Sequence, residues 1–351
     1  MKDLWTYLKE EYKKGRPVVL YGTGDGADKI YARLSSDGME PAGVFASTGF
    51  VRDRYYLGMK VVSFDDIRAN FDNPIVLVCF GSSRPEVIHL IDDVRSRAET
   101  YAPDVPVCGG EVFDSAFYEQ HKEELDKVSE HLSDDLSRTT MKNIVEGRLT
   151  GDISRLHAAE CTLKDIYDLI SLPQDSVFFD LGTYTGDTVK EFTGVFPSIR
   201  HIVAIEPEPR NYRKLEELSS VLTDLDFNPL RALISDVCSD SYILPSARGR
   251  GTREKKEGIP TKAVTVDSLV MSTGLVPDFI KYDVEGNEIK GILGAKETIL
   301  DHKPLLKIAC YHKSPDIFEI PKAVLAIRPD YKVYMRHLPS IPGWDTDLIF
   351  V

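Results

Sequence analysis

Apolar residues fall along this chain in two patterns. Short apolar runs, unbroken at 18–21, 75–80, 177–179 and 202–205 and interrupted by one lysine each at 279–282 and 305–310, mark strands buried on both faces. Elsewhere apolar residues recur every three or four positions, first as Leu4, Leu8 and Tyr12, and predict helices. Strand, glycine turn, helix and strand follow one another twice. The pattern therefore predicts an α/β protein of two Rossmann-like, doubly wound units, 1–110 and 173–351. The stretch 111–172 carries leucine, aromatic and charged residues at helical spacing and no strand-like run. It predicts a helical connection, with helices over 134–148 and 153–170. The second unit is expected to close on an antiparallel pair, 331–335 and 348–351, at the edge of its sheet.

Turn residues place the candidate chemistry. In the first unit Gly22-Thr-Gly24-Asp-Gly26-Ala27 follows a strand and opens a helix, a G-x-G-x-x-A arrangement in the right context. The next strand, 42–45, runs into Ala46, Ser47 and Thr48 instead of a carboxylate that could hold a ribose, and Arg52, Asp53 and Arg54 follow in a loop. A third turn, Gly81-Ser-Ser-Arg-Pro85, opens another helix. This unit is read as one kept for packing or assembly in preference to a nucleotide pocket.

In the second unit the strand 177–179 enters Asp180 and a loop holding Gly182 and Gly186, with Asp187 or Thr188 suited to cap a helix reaching 196. The strand 201–206 ends in Glu206, placed to accept hydrogen bonds from ribose hydroxyls, and proline stands at the entry of the helix that follows. A third strand over 225–234 is interrupted by Asn228-Pro229, and Ser235-Asp236 occupies the turn that lies near the base of a bound nucleoside. The polar stretch 239–262 is locally basic through Arg248, Arg250, Arg253, Lys255 and Lys256. It predicts a solvated loop, with a lid over an anionic or polyol substrate as the alternative. The strand 279–282 brings Asp283 to its carboxyl end, where open α/β sheets bind ligands. Glu285, Gly286 and Glu288 form the turn into a helix through Ile299, and the strand 304–310 delivers Tyr311, His312 and Lys313 to the same edge.

Composition narrows the function. At 351 residues the chain is long for one core. A net charge of −13 argues against a nucleic-acid surface and against anionic membranes. The longest apolar run is too short to span a bilayer and the N-terminus has no apolar signal core, so a cytoplasmic protein is expected. Five scattered cysteines without a CxxC pair predict free thiols in a reducing compartment. His121, His131 and His157 stand at no metal-ligand spacing, and no metal is predicted.

Taken in order, Asp180-Leu-Gly182-Thr-Tyr-Thr-Gly186, Ile205-Glu206-Pro207, Thr265-Val-Asp267-Ser-Leu269 and Ile280-Lys-Tyr-Asp-Val-Glu-Gly-Asn-Glu288, followed by Gly294-Ala295, resemble the FkbM-type methyltransferases. These are class I, S-adenosylmethionine-dependent enzymes. The resemblance covers 176–351, and the Lys-x-Asp-Val-Glu-Gly-x-Glu block is its specific part. Where the family often has Ala-Asn after the first glycine, Thr183 and Tyr184 stand here.

The resemblance implies a class I methyltransferase sheet and S-adenosylmethionine as cofactor. Asp180 with the loop Gly182, Thr183, Tyr184 and Gly186, and the helix start at Asp187 and Thr188, would hold the methionine end. Glu206 and Pro207 would meet the ribose, and Ser235 and Asp236 would sit near adenine. The chemistry is coherent, since an ammonium and two vicinal hydroxyls are donors that carboxylates accept. Methyl transfer to oxygen needs an acceptor deprotonated as it attacks, and Asp283 and His312 are the candidate catalytic residues, His312 for its ordinary pKa. The expected function is an O-methyltransferase acting on a hydroxyl of a sugar, glycan or secondary metabolite, with no nucleic-acid or membrane partner. Whether copies associate as a homo-oligomer the sequence leaves open. Two other readings stand beside it. A NAD-dependent oxidoreductase using the Gly22 loop lacks the acid after Phe45, and a non-catalytic binding or assembly protein does not account for the intact 281–288 block.

Overall fold

The computed structural model describes residues 2–47, 49–51, 53–244 and 259–351. The basic residues Arg248, Arg250, Arg253, Lys255 and Lys256, read above as a loop or lid, lie outside the described residues, as do Thr48 and Arg52.

The first half runs α1 (Leu4–Lys13), β1 (Val18–Tyr21), α2 (Asp25–Ser36), β2 (Gly43–Phe45), β3 (Tyr55–Tyr56), β4 (Met59–Val62), α3 (Phe64–Asn70), β5 (Ile75–Val78), α4 (Pro85–Arg97) and β6 (Glu99–Tyr101). Its sheet has the order β3-β4-β2-β1-β5-β6, with every pairing parallel except the β3–β4 hairpin. All four residues of β1 and of β5 are buried, as unbroken apolar runs require. The hairpin, α3 and β6 are too short to have stood out in the apolar pattern.

Four helices follow: α5 (Ser115–His131), α6 (Asp135–Thr150), α7 (Ile153–Ala159) and α8 (Leu163–Tyr167). The helix expected over 153–170 is thus two. Thr162 ends the first and caps the second, accepting from the Asp165 N–H while Asp165 reaches back to the Thr162 N–H.

The second half continues β7 (Ser176–Leu181), α9 (Asp187–Val195), β8 (Ile199–Ile205), α10 (Pro209–Val221), β9 (Asp226–Leu230), β10 (Leu233–Ile234), β11 (Ser239–Leu244), β12 (Ile259–Val264), α11 (Val266–Thr273), β13 (Phe279–Tyr282), α12 (Glu288–Leu293), α13 (Lys296–His302), β14 (Leu305–Ala309), α14 (Asp316–Ile327), β15 (Val333–His337) and β16 (Thr346–Phe350). Its main sheet has the order β15-β16-β14-β13-β7-β8-β9, parallel from β14 to β9 and closed by antiparallel β16. Phe178 and Phe279 stack across β7 and β13 with ring centroids 4.9 Å apart, and burial of each ring contributes about 2–3 kcal/mol.

Three expectations are corrected here. The strand read over 225–234 is two, in different sheets, and Pro229 lies inside β9 because β9 is an edge strand with no partner for the missing N–H. The flanks of the polar stretch 239–262 are strands, β11 and β12, paired antiparallel and joined to β10. The helix expected to run through Ile299 breaks at Gly294, where an added Cβ would stand 2.2 Å from the Ser235 carbonyl oxygen.

One hydrophobic cluster runs through both halves, joining Val19, Phe45 and Val76 to Ile144 and Leu156 and on to Phe179, Ile280 and Leu306. The two sheets also meet through the loops at the carboxyl ends of their parallel strands. Ser82, past β5, pairs with Ile341 in the β15–β16 loop through two backbone hydrogen bonds of 2.9 and 3.1 Å. The Cys108 N–H, past β6, donates to the carbonyl of His312, past β14, at 3.2 Å. The ligand edges of the sheets therefore face each other.

Buried Arg336 ties α6 to β15. It donates to Asp134 at 2.6 Å, to Ser137 at 2.8 Å and to the Asp165 carbonyl at 3.2 Å. Burial pushes the Asp134 carboxyl up, but hydrogen bonds from Arg336 and Ser137 outweigh it and lower it to about 2. That stabilisation is complete above the unfolded value and is lost as pH falls through the folded one. Replacing Arg336 by Met is expected to cost about 2–3 kcal/mol in urea unfolding at neutral pH and to flatten the loss of stability between about pH 4 and 2.

Candidate functional site

The site is built where β7, β13, β8 and β14 end side by side. In register, Asp180 pairs with Lys281 and Leu181 with both Tyr282 and Ile205, so Gly182, Asp283 and Glu206 leave three adjacent strands at one level. Gly182 has φ +80° and an added Cβ would stand 1.8 Å from the Asp283 carbonyl oxygen, so only glycine lets the two loops touch. Its N–H and that of Thr183 both donate to the Ile205 carbonyl, which fixes the loop against β8. Thr183 is buried and its hydroxyl donates to the Asp180 carbonyl at 2.7 Å. Tyr184 is exposed and left-handed, φ +55°, a conformation that suits Asn better than an aromatic residue. Gly186, also left-handed, precedes α9 as its N-cap without a side-chain bond. Asp187 lies exposed in the first turn of α9, where its charge suits the helix dipole. Thr188 follows it, half-buried.

Glu206 is buried and points back at the loop. Its Oε2 accepts the Tyr184 N–H at 2.9 Å and its Oε1 the Glu208 N–H at 2.8 Å. Burial raises its carboxyl although both bonds oppose the shift. Each oxygen keeps a lone pair for a further donor. Pro207 beside it is half-buried. Ser235 is buried after β10 and donates to exposed Asp236 at 3.0 Å. Glu206 lies beside the loop after β7, whereas Ser235 and Asp236 follow β10 of the smaller sheet.

Asp180 is fully buried, and neither of its oxygens accepts a well-formed hydrogen bond. Its neighbour is Lys281, whose Nζ stands 3.4 Å from Oδ1. Burial pushes the Asp180 carboxyl up against the pull of that lysine. The same Nζ donates to the Gly182 carbonyl at 3.1 Å and lies 3.6 Å from Asp283 Oδ2. Asp283 also meets His312 Nε2 and the Tyr311 hydroxyl, each 3.3 Å from Oδ1. Although burial works against it, Lys281 and His312 hold the Asp283 carboxyl well below the ordinary range. Its side chain is 35% exposed and its neighbour Glu285 is 73% exposed.

His312 is 1% exposed, with Nδ1 2.9 Å from Glu288 Oε1 on its other side. Burial favours the neutral ring, but Asp283 and Glu288 outweigh it and keep the imidazolium well above its ordinary pKa. The ordinary titration expected of His312 is thereby corrected, since both flanking carboxylates favour the charged ring. Glu288 is itself pinned by the N–H groups of Val284 at 3.0 Å and Gly286 at 3.4 Å, which closes the turn after β13.

Two residues of the edge did not stand out in the sequence. Lys281 lay inside the Lys-x-Asp-Val-Glu-Gly-x-Glu block, whose spacing was the only signal. Asp345 lies in the β15–β16 loop with φ +53°, and burial with repulsion from Asp347 raises its carboxyl to about 6. No sequence signal marks it, because antiparallel β16 brings it to this edge only once the sheet has closed. Among the described residues no group of His, Cys, Asp and Glu is arranged to hold a metal ion.

The strand order is that expected of a class I methyltransferase sheet. Residues 180–332 match the methyltransferase FkbM domain. The crystal structure of a methyltransferase FkbM from Methylobacillus flagellatus KT shares the fold over 100% of this chain and 94% of its own, with a TM-score of 0.76 at 20% identity. A precorrin-6y C5,15-methyltransferase from Geobacter metallireducens overlaps 51% of this chain and 80% of its own at 14% identity and a TM-score of 0.32. Aeropyrum pernix fibrillarin, solved with bound S-adenosyl-L-methionine, overlaps 53% of this chain and 71% of its own at 15% and 0.34. No curated protein matches the chain.

Gly182 is the most constrained position of the site. Gly182→Ala should destabilise the protein by about 3 kcal/mol, because both its left-handed backbone and the neighbouring carbonyl exclude a Cβ. Chemical denaturation of the two proteins measures the difference.

Proposed function

We propose that this protein transfers the methyl group of S-adenosylmethionine to a hydroxyl of a sugar, glycan or secondary metabolite that enters between the facing sheet edges. The observation that carries the reading is the ionised, partly open carboxylate of Asp283, set between the Gly182 loop and the chain around Cys108.

The residues present suit the donor. Asp180 has two buried oxygens without hydrogen bonds, and Glu206 has lone pairs left over, which fits a ligand rich in N–H and O–H donors. Asp180 and the loop from Gly182 to Gly186 would hold its methionine end, Glu206 with Pro207 its ribose, and Ser235 with Asp236 its base. The cofactor supplies an activated methyl on a sulfonium, a leaving group that needs no protonation. The chain's own task is then to bind, orient and deprotonate the acceptor. Asp283 accepts the hydrogen bond of the attacking hydroxyl and fixes its direction. Its depressed pKa makes it a weak base, and the imidazolium of His312 serves to hold it in place. Asp345, with a carboxyl raised to about 6, is better matched to take the proton near neutrality.

The opposite wall is formed by the first half. Cys108 Sγ donates to Glu285 Oε2 at 3.7 Å, the Ser314 hydroxyl donates to the Glu111 carbonyl at 2.6 Å, and Lys313 Nζ bonds the Gly286 carbonyl. Two glycines of the Gly22 loop, Gly22 and Gly26, serve packing. An added Cβ at Gly26 would stand 2.4 Å from the Cys79 carbonyl oxygen, and one at Gly22 2.8 Å from the Phe80 ring. Asp25 and Asp28 in the first turn of α2 oppose a phosphate there, which speaks against the NAD reading.

Calorimetry is expected to show micromolar binding of S-adenosylmethionine and of its demethylated product, and Glu206→Ala should weaken both about tenfold or more. Absence of binding to the unmodified protein would end this reading. With an acceptor found by screening sugars and polyols for mass gain, Asp283→Asn should lower turnover about 100-fold. Turnover should also fall as pH drops through about 6, where Asp345 takes up its proton, and Asp345→Asn should remove that limb.

A further inference from the structure

Lys281 has no assigned part in the reaction, yet it stands at the centre of the site. Its side chain is 7% exposed, and a lysine so buried is costly unless its charge is answered. Here three groups answer it. The Gly182 carbonyl accepts from Nζ at 3.1 Å, Asp180 Oδ1 lies at 3.4 Å and Asp283 Oδ2 at 3.6 Å. One of these belongs to the loop read as the donor's cradle, one to the buried end of β7 and one to the tip of β13 that faces the acceptor. The cation thus touches the Gly182 loop and both carboxylates, Asp180 and Asp283, at once.

We propose that Lys281 is a positioning residue of the methyl-donor site, its buried ammonium holding the Gly182 loop and the carboxylates of Asp180 and Asp283 in one fixed, charged arrangement. The inference rests on the donor reading given above. Without a cation between them, the two carboxylates would repel each other in a poorly solvated place and would be driven to take up protons. With it, Asp283 keeps its negative charge for the cationic donor, and the rise that burial imposes on Asp180 is opposed. The other groups that face Asp283 act in both directions. His312 and Lys307 support its ionised form, while Asp180, Glu285, Asp345 and Asp347 oppose it, and the Tyr311 hydroxyl bonds it without charge. Of these, Lys281 alone is bonded to the donor loop as well.

The test compares S-adenosylmethionine binding by calorimetry at pH 8 and pH 5.5 in the unmodified protein, Lys281→Gln and Lys281→Arg. The unmodified protein and Lys281→Arg should change less than about threefold in affinity across that range. Lys281→Gln should weaken about tenfold or more on going to the lower pH, as Asp180, left without its cation, and Asp283, left with His312, protonate more readily. A uniform loss in Lys281→Gln, equal at both pH values, would mean that Lys281 only packs, and would overturn the inference. Should Lys281→Gln not fold, carbon-13 titration of the Asp283 carboxyl in the unmodified protein, assigned by its absence in Asp283→Asn, decides instead. Ionisation persisting to pH 3 or below supports the proposal, and a midpoint above pH 3 overturns it. If the unmodified protein binds neither the donor nor its product, the donor reading fails, while the carboxyl titration still judges what Lys281 does to Asp283.

Discussion

The ends of β7, β13 and β14 and the turn after β13 carry charges in alternation, Asp180, Lys281, Asp283, His312 and Glu288, with neighbours separated by 2.9 to 3.6 Å. In water such a row would fluctuate and contribute little. Four of its five members are buried here, so each depends on the next for its charge. That dependence reaches well past the row itself. Glu288 closes the turn after β13 through two backbone N–H groups, Lys281 holds the Gly182 carbonyl, and His312 offers its own carbonyl to the first half of the molecule. The row leaves one carboxylate in excess. A donor with a sulfonium and an ammonium alongside a single carboxylate brings the charge that would balance it.

The same row explains why two acids at one sheet edge differ so far in proton affinity. Asp283 lies against Lys281 and His312 and stays ionised, whereas Asp345 has Asp347 for a close neighbour and sits near 6. Acids pushed apart in this way can divide the work between holding a substrate and receiving its proton. The imidazole, which the chain's composition made the natural base, is instead a fixed cation between two carboxylates.

Much of the fold was legible because the decisive signals are local. Phe178 and Phe179 lie in an apolar run that suits a doubly covered strand, Gly182 and Gly186 mark the turn that follows it, and Ile280 and Leu306 stand in runs broken by a single lysine. The antiparallel closing pair was equally plain. What could not be read depended on neighbours distant in sequence. Pro229 suggested a strand break, but an edge strand accepts proline. Gly294 looked like part of a continuous helix until the Ser235 carbonyl came to lie against it. His312 was judged by its isolated chemistry, whereas Asp283 and Glu288, more than twenty residues earlier, set its charge. Asp345 reaches the site only through the return of β16.

The pairing of Ser82 with Ile341 and of Cys108 with His312 joins loops that belong to different sheets. A loop of one sheet is thus, in part, the backbone partner of a loop of the other. Neither half is a module that could be grafted alone onto a different companion. An insertion in the β15–β16 loop would need an answering change beside Ser82, and exchanging the first half for a foreign one would redraw the space above Asp283 without altering a single residue of the second.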